Sequence, residues 1–183
     1  MIPLARREHS SSLPKKQYTP SGKPSFSGCT GQKTEICTNR IGTNDLGNDA
    51  FLTDSQVKNK TIVDYLDCVY SQLDALYEAG GRYFVLLNVA PLQLFPQYAP
   101  PERGGLSSTR YYPNKGPNIT EVSYRMMEQV ALVNDAYATR TALCSKVTGR
   151  YPGANLALFN VYDLVCSKTY KFMRSVPWLT VDI

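Results

Sequence analysis

An apolar run at residues 82–89 constrains the fold of this chain more than any other feature. It has the length of one strand, begins at Arg82, ends at Val89 and is closely followed by Pro91. Its apolar side chains are continuous and do not alternate with polar ones, which is typical of a strand covered on both faces of a parallel sheet. Parallel strands are joined by long crossovers that are usually helices. The run therefore predicts an α/β protein.

Two amphipathic helices and a second strand are predicted around this run. The first helix spans residues 61–79 with Thr61 as its N-cap, because apolar side chains recur there at spacings of three and four. The second helix spans residues 120–146 from a Thr120 cap, and the second strand spans residues 156–161. This order predicts a doubly wound parallel sheet with helices on both faces, which makes three layers, and we expect both strands at its centre.

The net charge of +5 lies entirely in the first forty residues. Residues 1–40 carry seven Lys or Arg against two Glu, whereas residues 41–183 carry thirteen basic and thirteen acidic side chains. The basic head is rich in Ser, Thr, Pro, Gly and Lys and poor in apolar residues, so we predict that it is disordered. A neutral domain argues against nucleic-acid binding, which leaves a basic-tailed anion-binding module as the weakest of the function classes considered.

Metal, cofactor and membrane binding are not predicted. The five cysteines show no paired spacing and have no companion histidine, so a zinc site is unsupported. Cys68 and Cys144 fall within helical patterns and are predicted as small core residues. No apolar run approaches the roughly eighteen residues of a membrane span.

A long surface loop is predicted over residues 93–118, where Pro, Gly and Tyr are frequent and no period is visible. Tyr98, Tyr111 and Tyr112 in this loop could form a wall that stacks on sugars, or be ordinary exposed loop residues.

A polar turn with the sequence Gly-Thr-Asn-Asp occupies residues 42–45, and residues 88–91 follow the predicted strand. Both segments belong at the carboxyl ends of strands, where open α/β sheets bind ligands. Together they resemble the SGNH/GDSL hydrolases, and more closely the fungal acetylesterases of carbohydrate esterase family sixteen. The resemblance covers about residues 41–165 and implies the flavodoxin-like fold of those hydrolases, incomplete at both ends. Residues 1–40 and 166–183 are expected to be unrelated to that family.

The resemblance also implies a function for the turn. Asn44 would donate a side-chain N–H to the oxyanion that forms when an ester is attacked, Gly42 would open the turn, and Asp45 would support it. The implied activity is removal of acyl groups from carbohydrate or other esters by a serine nucleophile. The implied substrates are small acyl esters or acetylated oligosaccharides, and the implied location is extracellular, although no signal peptide begins the chain.

Two parts of that chemistry are not found in the sequence. No Gly-Asp-Ser turn or Asp-x-x-His turn is present, and the single histidine, His9, lies in the basic head without a partner that could hold it. We therefore expect a fragment of an esterase that is inactive by itself. The alternative is a non-catalytic descendant of the fold that binds carbohydrate or another protein.

Overall fold

Three short strands form a parallel sheet in a computed structural model that describes residues 36–40 and 42–175. They are β1 (Ile36–Arg40), β2 (Tyr83–Leu87) and β3 (Asn155–Phe159), and they lie side by side in chain order. Tyr83 is opposite Ile36 on one side and Asn155 on the other. The predicted parallel α/β architecture is confirmed. β2 is the central strand, but β3 lies at an edge of the described sheet, so its predicted central position is wrong.

Three helices accompany the sheet: α1 (Ile62–Glu78), α2 (Ile119–Ala142) and α3 (Val161–Ser175). The first two connect successive neighbouring strands, and right-handed crossovers of this kind place both helices on one face of a sheet. Their apolar stripes and the Phe84 and Leu86 side chains belong to one core. Within residues 36–40 and 42–175, every helix falls short of the combined length and hydropathy that a bilayer span requires.

The predicted start of α1 is confirmed by its hydrogen bonds. The Thr61 side chain accepts from the backbone N–H of Asp64, and the Asp64 carboxylate accepts from the backbone N–H of Thr61 over 2.9 Å. This reciprocal capping box satisfies donors that the first helical turn leaves unpaired.

α2 starts two residues earlier than predicted. Asn118, and not Thr120, is the N-cap, because its Oδ1 accepts from the backbone N–H of Glu121 over 3.1 Å. Both residues are good N-caps and stand two positions apart, so local sequence did not separate them. At its other end α2 passes into a π-helical turn, Leu143–Val147.

The strand β1 corrects the predicted extent of the disordered head. Residues 36–40 were placed in that head, but they pair with β2 over five positions. Only one face of β1 is covered: Cys37 is buried, while Ile36 and Thr38 are exposed. A half-covered strand needs few apolar side chains, which explains why this polar segment was missed. The rest of the predicted head, residues 1–35, lies outside the described residues.

The C-terminal helix spans a second predicted boundary. The resemblance was expected to end at about residue 165, but no structural boundary falls there, because α3 runs from Val161 to Ser175. The expected end of the family relation stays a prediction. Residues 176–183 of the predicted tail lie outside the described residues.

The two faces of the sheet have different surroundings. Cys37, Phe84 and Leu86 point into the core and are 1–3% exposed. On the opposite face Tyr83 is 44% exposed and Phe159 is 47% exposed. One face of the sheet is thus packed in the core, and the other is partly open among the described residues. The predicted three-layer arrangement stays a prediction.

Candidate functional site

Three polar turns meet at the carboxyl edge of the sheet, one after each strand. The turn after β1 starts at Gly42, which approaches Val89 in the loop after β2: a Cβ on Gly42 would lie 2.8 Å from Val89 Cγ2. The loop after β2 reaches the turn after β3 through Asn88, whose Nδ2 donates to Asn160 Oδ1 over 2.9 Å. The turn at residues 42–45 therefore shares the edge at which open parallel sheets bind ligands.

Asn44 lies in a turn whose backbone is hydrogen-bonded on both sides of it. The Leu46 N–H donates to the Gly42 carbonyl oxygen over 3.0 Å, and the Gly47 N–H donates to the Asn44 carbonyl oxygen over 3.2 Å. Leu46 is completely buried and anchors the turn in the core. Asn44 itself is exposed, and its side-chain amide has no partner among residues 36–40 and 42–175. The amide is thus available to donate to a ligand from a fixed backbone.

Gly42 occupies a position that accepts no side chain. Its φ is +131°, and a Cβ would lie 2.8 Å from both the Tyr65 hydroxyl oxygen and Val89 Cγ2. Glycine alone combines this backbone conformation with such a close approach. Gly47 at the far end of the turn is similarly restricted, because a Cβ there would lie 2.7 Å from the Tyr98 hydroxyl oxygen.

Asp45 is half-buried beside the exposed Asn44. Burial raises the pKa of its carboxyl group, and a hydrogen bond from its own backbone N–H partly opposes that shift. Its carbonyl oxygen accepts from the Phe51 N–H over 3.2 Å, which ties the turn to the following segment. Asp45 thus has backbone and side-chain contacts within the turn, and its predicted supporting role stays a prediction.

A pair of buried tyrosines lies under the turn. The hydroxyl oxygens of Tyr65 on α1 and Tyr137 on α2 are 2.6 Å apart, and the two rings meet edge to face. Burial raises the pKa of Tyr137 to about 12 and raises the pKa of Tyr65 further, and the nearby Asp45 carboxylate contributes to both shifts. Both hydroxyls therefore stay protonated at physiological pH. Both residues stand within the predicted helices, and no local motif marks either of them as part of a site.

The loop after β2 is held by an asparagine that sequence analysis did not single out. Asn134 on α2 accepts from the backbone N–H of Val89 over 2.8 Å and donates to the Val89 carbonyl oxygen over 2.9 Å. On the other side of this loop, Asn88 Oδ1 accepts from the backbone N–H of Tyr162 over 3.1 Å. No local pattern marks these contacts, since Asn134 lies 45 residues from Val89.

The tyrosines of the long loop do not form a stacking wall. Tyr98 and Tyr112 are 4% and 5% exposed, and their ring centroids are 6.2 Å apart. Only Tyr111 is largely exposed, at 70%. The loop has its own small apolar contacts, which the absence of sequence periodicity did not reveal.

The cysteines give no catalytic or metal site in the described part of the chain. Cys144 is buried, as predicted, but Cys68 is exposed, because it lies outside the helix face formed by the buried Leu66, Val69 and Leu73 on α1. Cys37 is disulfide-bonded. No group of three potential metal ligands occurs within residues 36–40 and 42–175.

The fold and the turn define an α/β protein with a small parallel sheet and polar turns gathered at the carboxyl ends of its strands. The chain matches no protein-family model. It is 37% identical over 126 residues to an acetylesterase of Hypocrea jecorina, a match that covers 68% of this chain and 36% of that protein. This similarity supports an acetylesterase-like relationship. The chain spans about a third of the length of this curated relative, so the two share only part of that protein.

Proposed function

We propose that this chain carries the oxyanion-stabilising turn of a GDSL-type ester hydrolase, with Asn44 as the donor. The observation that carries the proposal is the exposed amide of Asn44, which has no partner among the described residues and stands on a backbone that is hydrogen-bonded on both sides. The similarity to an acetylesterase supports ester hydrolysis as the reaction. The family would be the SGNH/GDSL hydrolases, and within them the acetylesterases of carbohydrate esterase family sixteen.

The chemistry of acyl transfer explains why an amide suits this position. Attack on an ester carbonyl places negative charge on its oxygen, and fixed N–H donors stabilise that charge. A neutral amide donates without releasing or taking up the proton that moves between nucleophile and leaving group. In our proposal Gly42 allows the turn to lie close to the core, and Asp45 supports the turn from its half-buried position.

The remaining catalytic groups are not assigned to this chain. The sequence contains one histidine, His9, which lies outside the described residues, and it contains no Gly-Asp-Ser turn. The substrates we propose, by the likeness to an acetylesterase, are small acyl esters or acetylated oligosaccharides, met outside the cell.

A second candidate is a non-catalytic descendant of the fold that binds carbohydrate or another protein. The feature that favours it is the sequence itself, which offers the turn without a serine and histidine in the expected motifs. The first experiment therefore measures hydrolysis of a short acetyl ester by the purified 183-residue chain. We expect no turnover above background, because a donor without an activated nucleophile cannot start acyl transfer. Turnover that persists through purification and is lost in Asn44→Ala would contradict this expectation.

A chimera separates the two candidates. The 126-residue segment of the Hypocrea jecorina acetylesterase that matches this chain is replaced by its counterpart from this chain. We expect acetyl-ester hydrolysis, and we expect Asn44→Ala to lower kcat by about 10²- to 10³-fold, the usual effect of losing one oxyanion donor. Asn44→Asp keeps the shape, removes the donor and adds a negative charge that repels the oxyanion, so its kcat should be at least as low as that of Asn44→Ala. Asn114→Ala in the exposed loop should leave kcat unchanged.

Two outcomes of the chimera experiment would overturn the proposal. An active chimera that is insensitive to Asn44→Ala would remove Asn44 from the oxyanion site. A chimera that folds with the stability of the parent acetylesterase but hydrolyses nothing would favour the non-catalytic descendant.

A further inference from the structure

We propose that the hydroxyl pair of Tyr65 and Tyr137 positions the turn that carries Asn44, so that both tyrosines act as positioning residues for the oxyanion donor. The inference rests on the proposed function of Asn44. Both tyrosines are buried beneath the turn, at 8% and 1% exposure, so neither would contact a substrate bound at Asn44. They would act through the backbone of Gly42.

The contact between Tyr65 and Gly42 is the first step. A Cβ on Gly42 would lie 2.8 Å from the Tyr65 hydroxyl oxygen, so this hydroxyl stands directly against the first residue of the turn. From Gly42 the turn is closed by the hydrogen bond from the Leu46 N–H, which spans Asn44. A shift of the Tyr65 hydroxyl would therefore move the start of the turn and, through it, Asn44.

The contact between Tyr65 and Tyr137 is the second step. Their hydroxyl oxygens are 2.6 Å apart in a buried environment, where the loss of a hydrogen bond is costly. Tyr65 belongs to α1 and Tyr137 to α2, so the pair links the two helices at the height of the turn. Removing either hydroxyl would break this link between the helices and loosen the hold on Tyr65.

α2 also holds the second loop of the edge, which is the third step. Asn134 lies three residues before Tyr137 and therefore on the same face of α2. It fixes the backbone of Val89 through two hydrogen bonds, and Val89 is the second residue that Gly42 touches. One face of α2 thus holds Tyr65 through Tyr137 and holds Val89 through Asn134. Because both lie against Gly42, this face fixes the position of the turn relative to the loop after β2.

Such positioning has a catalytic consequence in the proposed site. An oxyanion donor is effective when it lies about 2.7–3.1 Å from the developing charge. A displacement of about 1 Å by a change far from the reacting atoms can lower the rate by about 10²-fold. The hydroxyl pair would therefore matter for catalysis although it makes no contact with the substrate.

The structure offers a closely matched control. The Tyr70 hydroxyl on α1 is also buried and bonds a hydroxyl on α2, the Oγ1 of Thr141, over 2.8 Å. It also donates to the backbone carbonyl oxygen of Tyr137 over 3.4 Å, but it does not contact the Tyr137 hydroxyl that pairs with Tyr65. The atoms that a Cβ on Gly42 would meet first belong to Tyr65 and Val89, and none of them belongs to Tyr70. Tyr70→Phe therefore removes the same kind of interhelical hydrogen bond without disturbing the closest contacts of the turn.

The experiment measures amide hydrogen exchange in the full 183-residue chain. We expect Tyr65→Phe and Tyr137→Phe to speed exchange at the Leu46 amide by about tenfold more than at the Phe84 amide in β2. The reason is that local opening of the turn adds to any loss of stability of the whole fold. Tyr70→Phe should speed both amides by the same factor. The inference is overturned if the exchange rates of Leu46 and Phe84 rise by the same factor in all three variants, because the tyrosines would then only stabilise the fold.

A second measurement links the pair to Asn44. In an active chimera, Tyr137→Phe should lower kcat with KM unchanged, and should add little once Asn44 is already alanine, whereas equal effects in both backgrounds would overturn the inference. An active chimera whose kcat is unchanged by Asn44→Ala would overturn the proposed function instead, even if the exchange rates change as expected. The two failures are therefore distinguishable.

Discussion

Asn44 and Asp45 are neighbours in the chain with opposite surroundings. Asn44 is exposed and unpaired within the described residues, whereas Asp45 is half-buried and its carboxyl pKa is raised by burial. A carboxylate in low-dielectric surroundings is costly to ionise, so the protein binds the Asp45 proton more tightly when it is folded than when it is unfolded. This difference makes the stability of the turn depend on pH.

The sign of that dependence predicts the behaviour of Asp45→Asn. Because the folded-state pKa is raised, the stability contributed by Asp45 is fully present below its unfolded pKa and is lost as pH rises through the folded pKa. The neutral amide has no such loss, so we expect Asp45→Asn to melt at a higher temperature than the parent chain at pH 7. The difference should shrink toward pH 3. Thermal unfolding of the dilute chain at both pH values measures it, with Asp135→Asn on the exposed face of α2 as the control.

That prediction would be wrong if Asp45→Asn melted lower at pH 7. Such a result would mean that the hydrogen bond from the backbone N–H of Asp45 contributes more to the turn than the burial of the charge costs.

At this scale the sequence singles out residues that share a local motif, and it does not single out residues whose contacts come from distant parts of the chain. The predicted roles of Gly42, Asn44 and Asp45 stay predictions. Gly42, Asn44 and Asp45 are adjacent, and glycine and asparagine in a short polar segment indicate a turn. Tyr65 and Asn134 stand within ordinary helices, and their partners are 72 and 45 residues away. No spacing rule connects such positions.

The starts of α1 and α2 show which helix caps can be predicted from the local sequence. Thr61 and Asp64 form the capping box that the sequence predicted, and the Lys60 side chain pairs with the same carboxylate over 2.9 Å. The Lys60 hydrogen bond and those of Thr61 lower the pKa of Asp64 to about 2. The start of α2 offered two capping residues, and only the structure identifies Asn118 as the cap.

Thr61→Ala tests the cap of α1. Losing an N-cap side chain costs about 1 kcal/mol, so we expect a lower melting temperature at pH 7. A depressed carboxyl pKa gives stability that is present above the unfolded value of 3.8 and lost as pH falls toward the folded pKa of about 2. The acid-induced drop in melting temperature between pH 5 and pH 2 should therefore be smaller in Thr61→Ala. Thr120→Ala, which lies inside α2 and caps nothing, is the matched control and should change neither quantity.

Equal melting temperatures of the two threonine variants, with equal drops between pH 5 and pH 2, would contradict this prediction. It would mean that the capping box contributes no net stability to α1 in the folded chain.

For the whole molecule, the sheet has one face in the core and one face open among the described residues. Phe84 and Leu86 are each 1% exposed, whereas Ile36, Tyr83 and Phe159 on the other face are 44–63% exposed. The apolar run of β2 correctly predicted a parallel strand, but it also predicted cover on both faces. Sequence could not reveal the open face, because the apolar character of a strand records what it can bury and not what is present to cover it.

The open face predicts that the chain associates with itself. Three strands of five residues present a face of about 14 by 17 Å, or about 240 Å², at the usual strand spacing and rise. Thr38 and Asn155 share this face, so its apolar part is smaller than the whole. Leaving that part in water forgoes at most about 6 kcal/mol at about 25 cal/mol per Å², against a domain stability that starts at about 5 kcal/mol. We therefore expect light scattering from the purified chain to rise with concentration.

Replacing Ile36, Tyr83 and Phe159 together by threonine, which favours strands and is polar, should restore a monodisperse monomer. Threonine at three comparably exposed apolar positions on helical segments, Val63, Leu132 and Val147, should not, because those residues lie singly on the surface. A monodisperse parent chain at high concentration would contradict this prediction.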